Sequence, residues 1–178
     1  MVRGIRRTAV LALAFGVLLA PGSSTAGPGG AVSPSGVLQA ALVRQVNAFR
    51  SAHGLARLRA SRALDAAAYA HTSQMARVGY FSHSSANGQS FSRRIAVYYS
   101  VRGFRRWAAG ENLVYGSPDL TALQALQLWL ASPPHRANLL NPSWRELGLA
   151  AVHSRSAPGV YHGAPTTVIT ADFGARTR

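Results

Sequence analysis

Acidic residues are so scarce in this chain that each one can be considered for chemistry. The five acids are Asp65, Glu111, Asp119, Glu146 and Asp172, against nineteen arginines and no lysine. Asp65 and Asp119 fall in the first turns of expected helices, where the helix dipole favours a carboxylate. Asp172 falls in an expected strand, where it could cap, pair with an arginine or lie in solvent. Glu111 follows Gly110 inside an apolar stretch, and burying its charge unpaired would cost several kcal/mol. We therefore expect Glu111 to have partners.

Two of the six histidines lie where a side chain can point into a cleft. His83 belongs to the polar loop 81–84, and His135 follows the helix-breaking Pro133-Pro134 pair. Two imidazoles and the Glu111 carboxylate could bind a divalent metal or act as an acid/base pair. Spacing alone leaves open that both histidines are surface residues. The other four are expected to be structural: His53, His71, His153 and His162.

Thiol catalysis is excluded, and the sequence motifs of several other kinds of catalytic site are missing. The chain has no cysteine, which excludes thiol catalysis and a disulfide framework. It has no His-Glu-x-x-His, no Gly-x-Ser-x-Gly and no glycine-rich phosphate loop.

The elements that must position these residues follow from periodicity. Helical spacing predicts helices over residues 37–53, 62–77 and 90–98. Ser117-Pro118-Asp119 predicts the start of a fourth helix over 120–131, and a further turn is expected over 135–140. In the fourth helix Leu123, Leu126, Leu128 and Trp129 are expected to pack inward. Strands are expected over 107–115, 147–152 and 166–173, the last two as a hairpin. Helices first and a hairpin last favour an α+β fold.

The first residues predict export. Arginines at positions 3, 6 and 7, an apolar run over 9–20 and the small residues that end at Ala26 are typical of a signal peptide over 1–26. An uncleaved N-terminal anchor is the alternative, although the run is shorter than the roughly 20 residues a span needs. Residues 27–36 are expected to form a flexible leader, 37–174 the folded domain and 175–178 a tail. No other segment is apolar enough for a transmembrane anchor.

The formal net charge is +14. Such an excess suits an anionic partner such as a lipid surface or a wall polymer. Scattered arginines also fit a protein that is simply kept soluble by its charge. Export argues against nucleic acid as a partner.

Four motifs in order resemble the CAP superfamily of cysteine-rich secretory, antigen 5 and pathogenesis-related 1 proteins, in its short bacterial form. They are Phe81-Ser82-His83-Ser84, Gly110-Glu111-Asn112-Leu113, the segment from Trp129 to Leu140, and Glu146-Leu147-Gly148-Leu149-Ala150. The resemblance covers nearly all of residues 37–174.

The resemblance implies a three-layer α-β-α sandwich with a central, mostly antiparallel sheet and a large cleft. By position, His83, Glu111 and His135 match cleft residues of the family, and the family's second Glu falls near Ser132. The ligand-binding residues are therefore expected to be His83, Glu111, Ser132 and His135. His83 and His135 are the expected ligands of zinc or another divalent cation. The serine at position 132 departs from the family's pattern and weakens any four-ligand site.

The domain is expected to be secreted and extracellular, and three functions stay open for it. The favoured one is a binding module for a lipid or an anionic cell-envelope component, with or without a metal. The alternative is a weak metal-dependent hydrolase of extracellular substrates in which Glu111 is the base. A purely structural or stress-related envelope protein is the third.

Overall fold

Five helices and five strands make up the described part of the chain. The computed structural model describes residues 31–178, so the predicted signal peptide lies outside the described residues. The helices are α1 (Gly36–Ala52), α2 (Arg62–Val78), α3 (Phe91–Tyr98), α4 (Ala122–Ala131) and α5 (Pro133–Leu140). The strands are β1 (Val32–Pro34), β2 (Arg59–Ala60), β3 (Arg106–Gly116), β4 (Glu146–Ser154) and β5 (Thr166–Thr177).

The strands form one mostly antiparallel sheet in the order β1-β4-β5-β3. The expected hairpin is present, because β4 and β5 pair antiparallel from Glu146–Gly174 to Ser154–Thr166. The short β2 adds to β4 in parallel and is the exception. Strand β3 pairs with β5 along its whole length and ends this row of strands.

Helices cover both faces of the sheet, which confirms the α+β sandwich. Side chains alternate between the faces of a strand. Leu113 and Val168 therefore join Met75 of α2 in one core, while Val114 and Ile169 join the α1 and α4 side of the sheet. Helix α3 packs beside α2 through Ile95 and Tyr99, next to Leu64. The buried Trp129 donates its indole N–H to the Leu113 carbonyl at 3.0 Å and ties α4 to β3.

Helix α2 lies unusually close to the sheet at Gly148. A Cβ atom placed on Gly148 would lie 2.1 Å from the carbonyl carbon of Leu64 and 2.3 Å from the amide nitrogen of Asp65. Further along the helix, Thr72 donates its hydroxyl to Thr170 of the neighbouring strand β5 at 2.7 Å. This close packing fixes the height of α2 over the sheet, and with it the loop that follows α2.

The predicted domain boundaries need correction at both ends. Residues 32–34 are not a flexible leader, because they pair with β4, and Gly36 already opens α1. The predicted tail is also mostly ordered, since β5 runs to Thr177 opposite Arg106. Within residues 31–178, no helix combines the length and the apolar character that crossing a bilayer requires.

The predicted start of the fourth helix is wrong. Its N-cap is Thr121, whose side chain accepts from the Gln124 N–H while Gln124 accepts from the Thr121 N–H, a reciprocal capping box. Asp119 therefore precedes the helix, with a side chain 79% exposed and 3.4 Å from His153. Two of the four residues expected to pack inward, Leu123 and Leu128, are 54% and 49% exposed. The buried face of α4 consists instead of Ala122, Ala125, Leu126 and Trp129.

Candidate functional site

Glu111 is the buried centre of the site. Strand β3 directs its side chain toward the α2–α3 side of the sheet, where it has 0% exposure. His83 donates Nδ1–H to Oε1 of Glu111 at 2.7 Å. Arg94 of α3 donates from Nη2 to Oε2. Both carboxylate oxygens are therefore engaged, and Glu111 meets the expectation that it needs partners.

The partners decide the charge of Glu111. Burial by itself would raise the pKa of the carboxyl group, but the hydrogen bond from His83 and the positive charge of Arg94 lower the pKa below its usual value. Glu111 is thus a carboxylate at neutral pH. Because Glu111 accepts the Nδ1 proton of His83, Nε2 is the nitrogen of that ring that is left for another partner.

His83 and His135 come together from separate elements. His83 lies in the loop between α2 and α3, and His135 lies in α5. Their ring centroids are 6.4 Å apart at an interplanar angle of 49°. The Nε2 atom of each ring is buried and finds no hydrogen-bond partner among residues 31–178. We call these two side chains the histidine pair.

His135 is a neutral ring at pH 7. Burial, and to a smaller extent the neighbouring His83, lowers the pKa of His135 to about 4. Phe91 packs beside His83 with ring centroids 6.2 Å apart and gives the pair an apolar neighbour. The arrangement offers two basic nitrogens that are already desolvated, which suits a cation or the donor group of a ligand.

An amide pair holds α5 against β3. Asn112 donates its side-chain N–H to the His135 carbonyl at 3.0 Å. Asn138 donates to Asn112 Oδ1 at 2.9 Å and to the Glu111 carbonyl at 3.1 Å. Asn112 is fully buried, so these bonds lock the backbone of His135 to the strand that carries Glu111.

Arg94 and Asp172 were not among the predicted site residues, whereas His71 was expected to be structural and is buried as part of this network. His71, expected to be structural, is 1% exposed, and its Nε2 donates to the Ser82 carbonyl at 2.8 Å. Arg94 donates from Nη1 to the His83 carbonyl at 3.0 Å. Asp172 is fully buried away from solvent, and neither of its side-chain oxygens finds a hydrogen-bond partner among residues 31–178. The helical periodicity of the third helix could have suggested Arg94, which lies on the buried face of α3.

The structure offers two nitrogen ligands for a metal at this site but no third side-chain ligand within residues 31–178. Within residues 31–178, no three His, Asp or Glu side chains are grouped as metal ligands. Both oxygens of Glu111 are buried and accept hydrogen bonds from His83 and Arg94, so Glu111 is not placed as a third ligand. The 6.4 Å between centroids is at the outer limit for two imidazoles that share one ion with Zn–N bonds of about 2.0–2.1 Å. The donor set is therefore two nitrogens, which would leave further positions to oxygen donors from outside the chain.

The remaining expected residues lie apart from these contacts. Ser132 joins α4 to α5 and is half-buried, but its side chain does not cap α5. Its expected ligand-binding role stays a prediction. Glu146 accepts from the Tyr99 hydroxyl and lies 3.7 Å from Arg176, so it is engaged elsewhere.

Comparisons with known proteins agree with this architecture. Over 116 residues the chain is 31% identical to the Bacillus subtilis "Uncharacterized protein YkwD", and the match covers 65% of this chain and 42% of that protein. It is 35% identical over 103 residues to the "Uncharacterized membrane protein YlbC" of the same organism, covering 58% and 28%. The chain thus spans less than half the length of these curated relatives.

Solved structures show the same fold. A Bacillus anthracis structure, described as an extracellular protein containing a SCP domain, superposes with a TM-score of 0.61 and 29% identity over 78% of this chain and 40% of that one. An outer surface protein of Borrelia burgdorferi superposes with a TM-score of 0.66 over 83% of this chain and 99% of that one; at 19% identity this likeness concerns the fold alone.

The family assignment follows from the sequence match that spans most of the described fold. The model of the cysteine-rich secretory protein family, CAP, matches residues 43–171. That range contains His83, Glu111 and His135 and ends one residue before Asp172. The chain therefore belongs to the CAP family of cysteine-rich secretory proteins.

Proposed function

We propose that this CAP-domain protein is exported and binds a lipid or another anionic component of the cell envelope at the histidine pair, with zinc or another divalent cation held by His83 and His135. The observation that carries the proposal is that the Nε2 atoms of these two neighbouring rings are both buried and have no hydrogen-bond partner within residues 31–178. Unsatisfied buried acceptors are costly, so a native fold keeps them where a ligand completes them.

Glu111 supports binding rather than hydrolysis. A general base must reach the proton that it removes. The Glu111 side chain is fully buried and both its oxygens accept hydrogen bonds from His83 and Arg94. Its role in the proposal is to fix the orientation and the proton of His83, as a carboxylate commonly does for a ligating histidine.

The charge distribution favours an anionic ligand. Residues 31–178 contain sixteen arginines and all five acids. Among these residues only Arg94 and Arg176 lie within 4.0 Å of an acidic side chain. Most of the positive charge is thus uncompensated, and a negatively charged surface would be attracted to it. The extracellular description of the Bacillus anthracis neighbour supports export.

Zinc titration tests the histidine pair. Calorimetry on the untagged full chain should show one zinc per molecule. His83→Ala and His135→Ala should each abolish the heat of binding, and Glu111→Gln should weaken the affinity about 10–100-fold. The exposed His53 gives a matched control, and His53→Ala should leave the affinity unchanged. Zinc binding that survives both His83→Ala and His135→Ala would refute a shared site.

Vesicle binding tests the envelope ligand. The full chain should sediment with phosphatidylglycerol vesicles and not with phosphatidylcholine vesicles, and binding should fall as salt is raised. Lipid extraction of the purified protein followed by mass spectrometry should identify any lipid that it retains. Equal sedimentation with both kinds of vesicle would contradict the electrostatic part of the proposal.

A further inference from the structure

One end of the sheet is strongly basic, although its arginines are scattered in the sequence. Strands β3 and β4 begin at this end and β5 finishes there. The short β2 pairs with the first residues of β4, so it belongs to the same end. Six exposed arginines lie in these strand ends and in the turns beside them: Arg57, Arg59, Arg102, Arg105, Arg106 and Arg145. We call this surface the basic end.

Backbone hydrogen bonds bring these arginines together. The Arg59 N–H donates to the Arg145 carbonyl at 3.0 Å, which places β2 beside the start of β4. Arg145 and Arg105 then bond to the same strand, β5, from its two sides. The Arg145 N–H donates to the Gly174 carbonyl at 3.0 Å, and the Arg105 N–H donates to the Thr177 carbonyl at 2.9 Å. Segments that are far apart in the sequence thus share one surface.

The positive charge of the basic end is not neutralised by neighbouring acids. Glu146 is opposite Arg59 in the sheet register. Its carboxylate, however, accepts from the Tyr99 hydroxyl and lies 3.7 Å from Arg176, whose guanidinium stacks on the Tyr99 ring. Within residues 31–178, none of the six arginines of the basic end lies within 4.0 Å of an acidic side chain. The exposed Asp119 follows the opposite end of β3. An anionic surface would therefore be attracted to the basic end.

Exposed apolar side chains lie next to these charges. The Phe104 N–H donates to the Val101 carbonyl at 3.3 Å and closes a turn with Arg102 at its tip. Val101 is 46% exposed in this turn, and Val97 and Tyr98 are 71% and 43% exposed at the end of α3. Apolar and aromatic side chains bordered by arginines are typical of a surface that enters the headgroup region of an anionic bilayer. A soluble polyanion would need only the charges.

We propose that the basic end docks this protein on an anionic phospholipid bilayer, with the arginines at the phosphate groups and with Tyr98 and Val101 in the headgroup region. The proposal rests on the export and the anionic envelope partner proposed above, and it adds the surface that meets the bilayer. This surface is separate from the histidine pair. Glu111, which bonds to His83, lies five residues beyond Arg106 on β3, a distance of about 17 Å along an extended strand.

Variants matched in charge test the docking surface with phosphatidylglycerol vesicles. Arg102→Gln/Arg105→Gln should weaken vesicle binding of the full chain at least about tenfold, because each arginine near an anionic membrane contributes several-fold to the affinity. Arg77→Gln/Arg155→Gln removes the same charge from exposed residues near the opposite end of the sheet, beside the loop that follows β4. This control should change the affinity less than about twofold, because charges remote from the bilayer are screened. Thermal unfolding checks that both variants are folded.

A fluorescent label tests for contact with the bilayer itself. The chain has no cysteine, so Val101→Cys carries a nitrobenzoxadiazole label at a single position. Its emission should shift to the blue on phosphatidylglycerol vesicles and stay unchanged on phosphatidylcholine vesicles or soluble polyphosphate. Val160→Cys is the matched control, because Val160 is 45% exposed in the loop between β4 and β5, and its label should not shift. An equal shift of the Val101→Cys label on polyphosphate would indicate a soluble polyanion and contradict the proposal.

Three further results would overturn the docking surface. The first is an equal loss of vesicle binding in the two double arginine variants, which would assign the binding to total charge. The second is an unshifted label on Val101→Cys when the chain is bound to phosphatidylglycerol vesicles. The third is vesicle binding that is lost in His83→Ala but kept in Arg102→Gln/Arg105→Gln, which would place the lipid at the histidine pair alone. Vesicle binding that persists in His83→Ala, with zinc binding lost, would support the docking surface and separate it from the function proposed for the histidine pair.

Discussion

Glu111 and Asp172 lie opposite each other on strands β3 and β5, and the pKa values of these two buried carboxyl groups shift in opposite directions. Glu111 is held as a carboxylate by His83 and Arg94. Burial, and then the nearby charge of Glu111, raises the pKa of Asp172 well above its usual value. The directions differ because His83 and Arg94 bond directly to Glu111, whereas no basic side chain among residues 31–178 lies within 4.0 Å of the Asp172 carboxyl group.

Glu111→Gln should destabilise the fold strongly. The change leaves the guanidinium of Arg94 buried without its counter-charge, and removing one partner of a buried pair costs about 3–5 kcal/mol. Urea unfolding measures the loss. The double variant Glu111→Gln/Arg94→Met should recover part of it, because no unpaired charge remains. A single-variant loss below about 1 kcal/mol would show that the pair contributes little.

Asp172→Asn should stabilise the protein at pH 7 and flatten its pH dependence. With a pKa above that of the unfolded chain, Asp172 takes up a proton on folding, so the parent becomes less stable as pH rises above about 4. The neutral amide of asparagine does not titrate, so the loss of stability with rising pH should disappear. Thermal unfolding between pH 4.5 and 8 measures the stability difference between the variant and the parent, and each kcal/mol corresponds to about 2–4 °C in Tm.

The control for that change is Asp119→Asn, since the Asp119 side chain is 79% exposed. It should leave Tm within about 1 °C at every pH, as surface substitutions usually do. A lower Tm for Asp172→Asn at pH 7 would mean that Asp172 is ionised in the folded protein, contrary to the neutral state that its burial favours.

His71 should make the fold sensitive to acid. Burial is the main cause that lowers the pKa of His71 from 6.5 to about 4. Below about pH 6.5 the unfolded chain therefore binds a proton at His71 that the folded chain does not bind. The stability of the fold is unaffected by this difference above about pH 6.5, and it decreases as pH falls toward 4. The loss is on the order of 3 kcal/mol.

Comparing the parent with His71→Gln isolates that effect. Glutamine keeps an N–H donor for the Ser82 carbonyl but does not titrate, so the stability difference between the two proteins should change between pH 7 and 4.5. The exposed His53→Gln should show no such change. A pH-independent difference for His71→Gln would place the acid sensitivity on another group.

Gly148→Ala should destabilise the protein by about 3 kcal/mol or more. The added methyl would overlap backbone atoms of Leu64 and Asp65, which a rigid helix cannot move cheaply. Helix α2 would lift from β4, and the loop that holds His83 would shift with it. Gly36→Ala is the matched control, because a Cβ there has nothing within 4 Å. Chemical denaturation and the zinc affinity of both variants test this.

The sequence by itself determined the local structure and the candidate residues. Periodicity predicted helices α1, α2 and α3 and the final hairpin. A helix or strand that buries one face has apolar residues at a regular spacing, and this spacing is visible in the sequence. The motifs around His83, Glu111 and His135 predicted the family. The start of α4 was misplaced because Ser117-Pro118-Asp119 and Thr121 are both good caps, and only the packing of α4 on the sheet selects one.

Only the tertiary structure decided what those residues do. Glu111 contacts Arg94, and His83 lies beside His135, although each pair is far apart in the sequence. Sequence separation does not tell how close two such residues are in the fold. Charge states follow from such contacts, which is why Glu111 and Asp172 could not be distinguished from residue type. Solvent access is decided in the same way: the Glu111 side chain is fully buried beside His83, which its position in the sequence did not reveal.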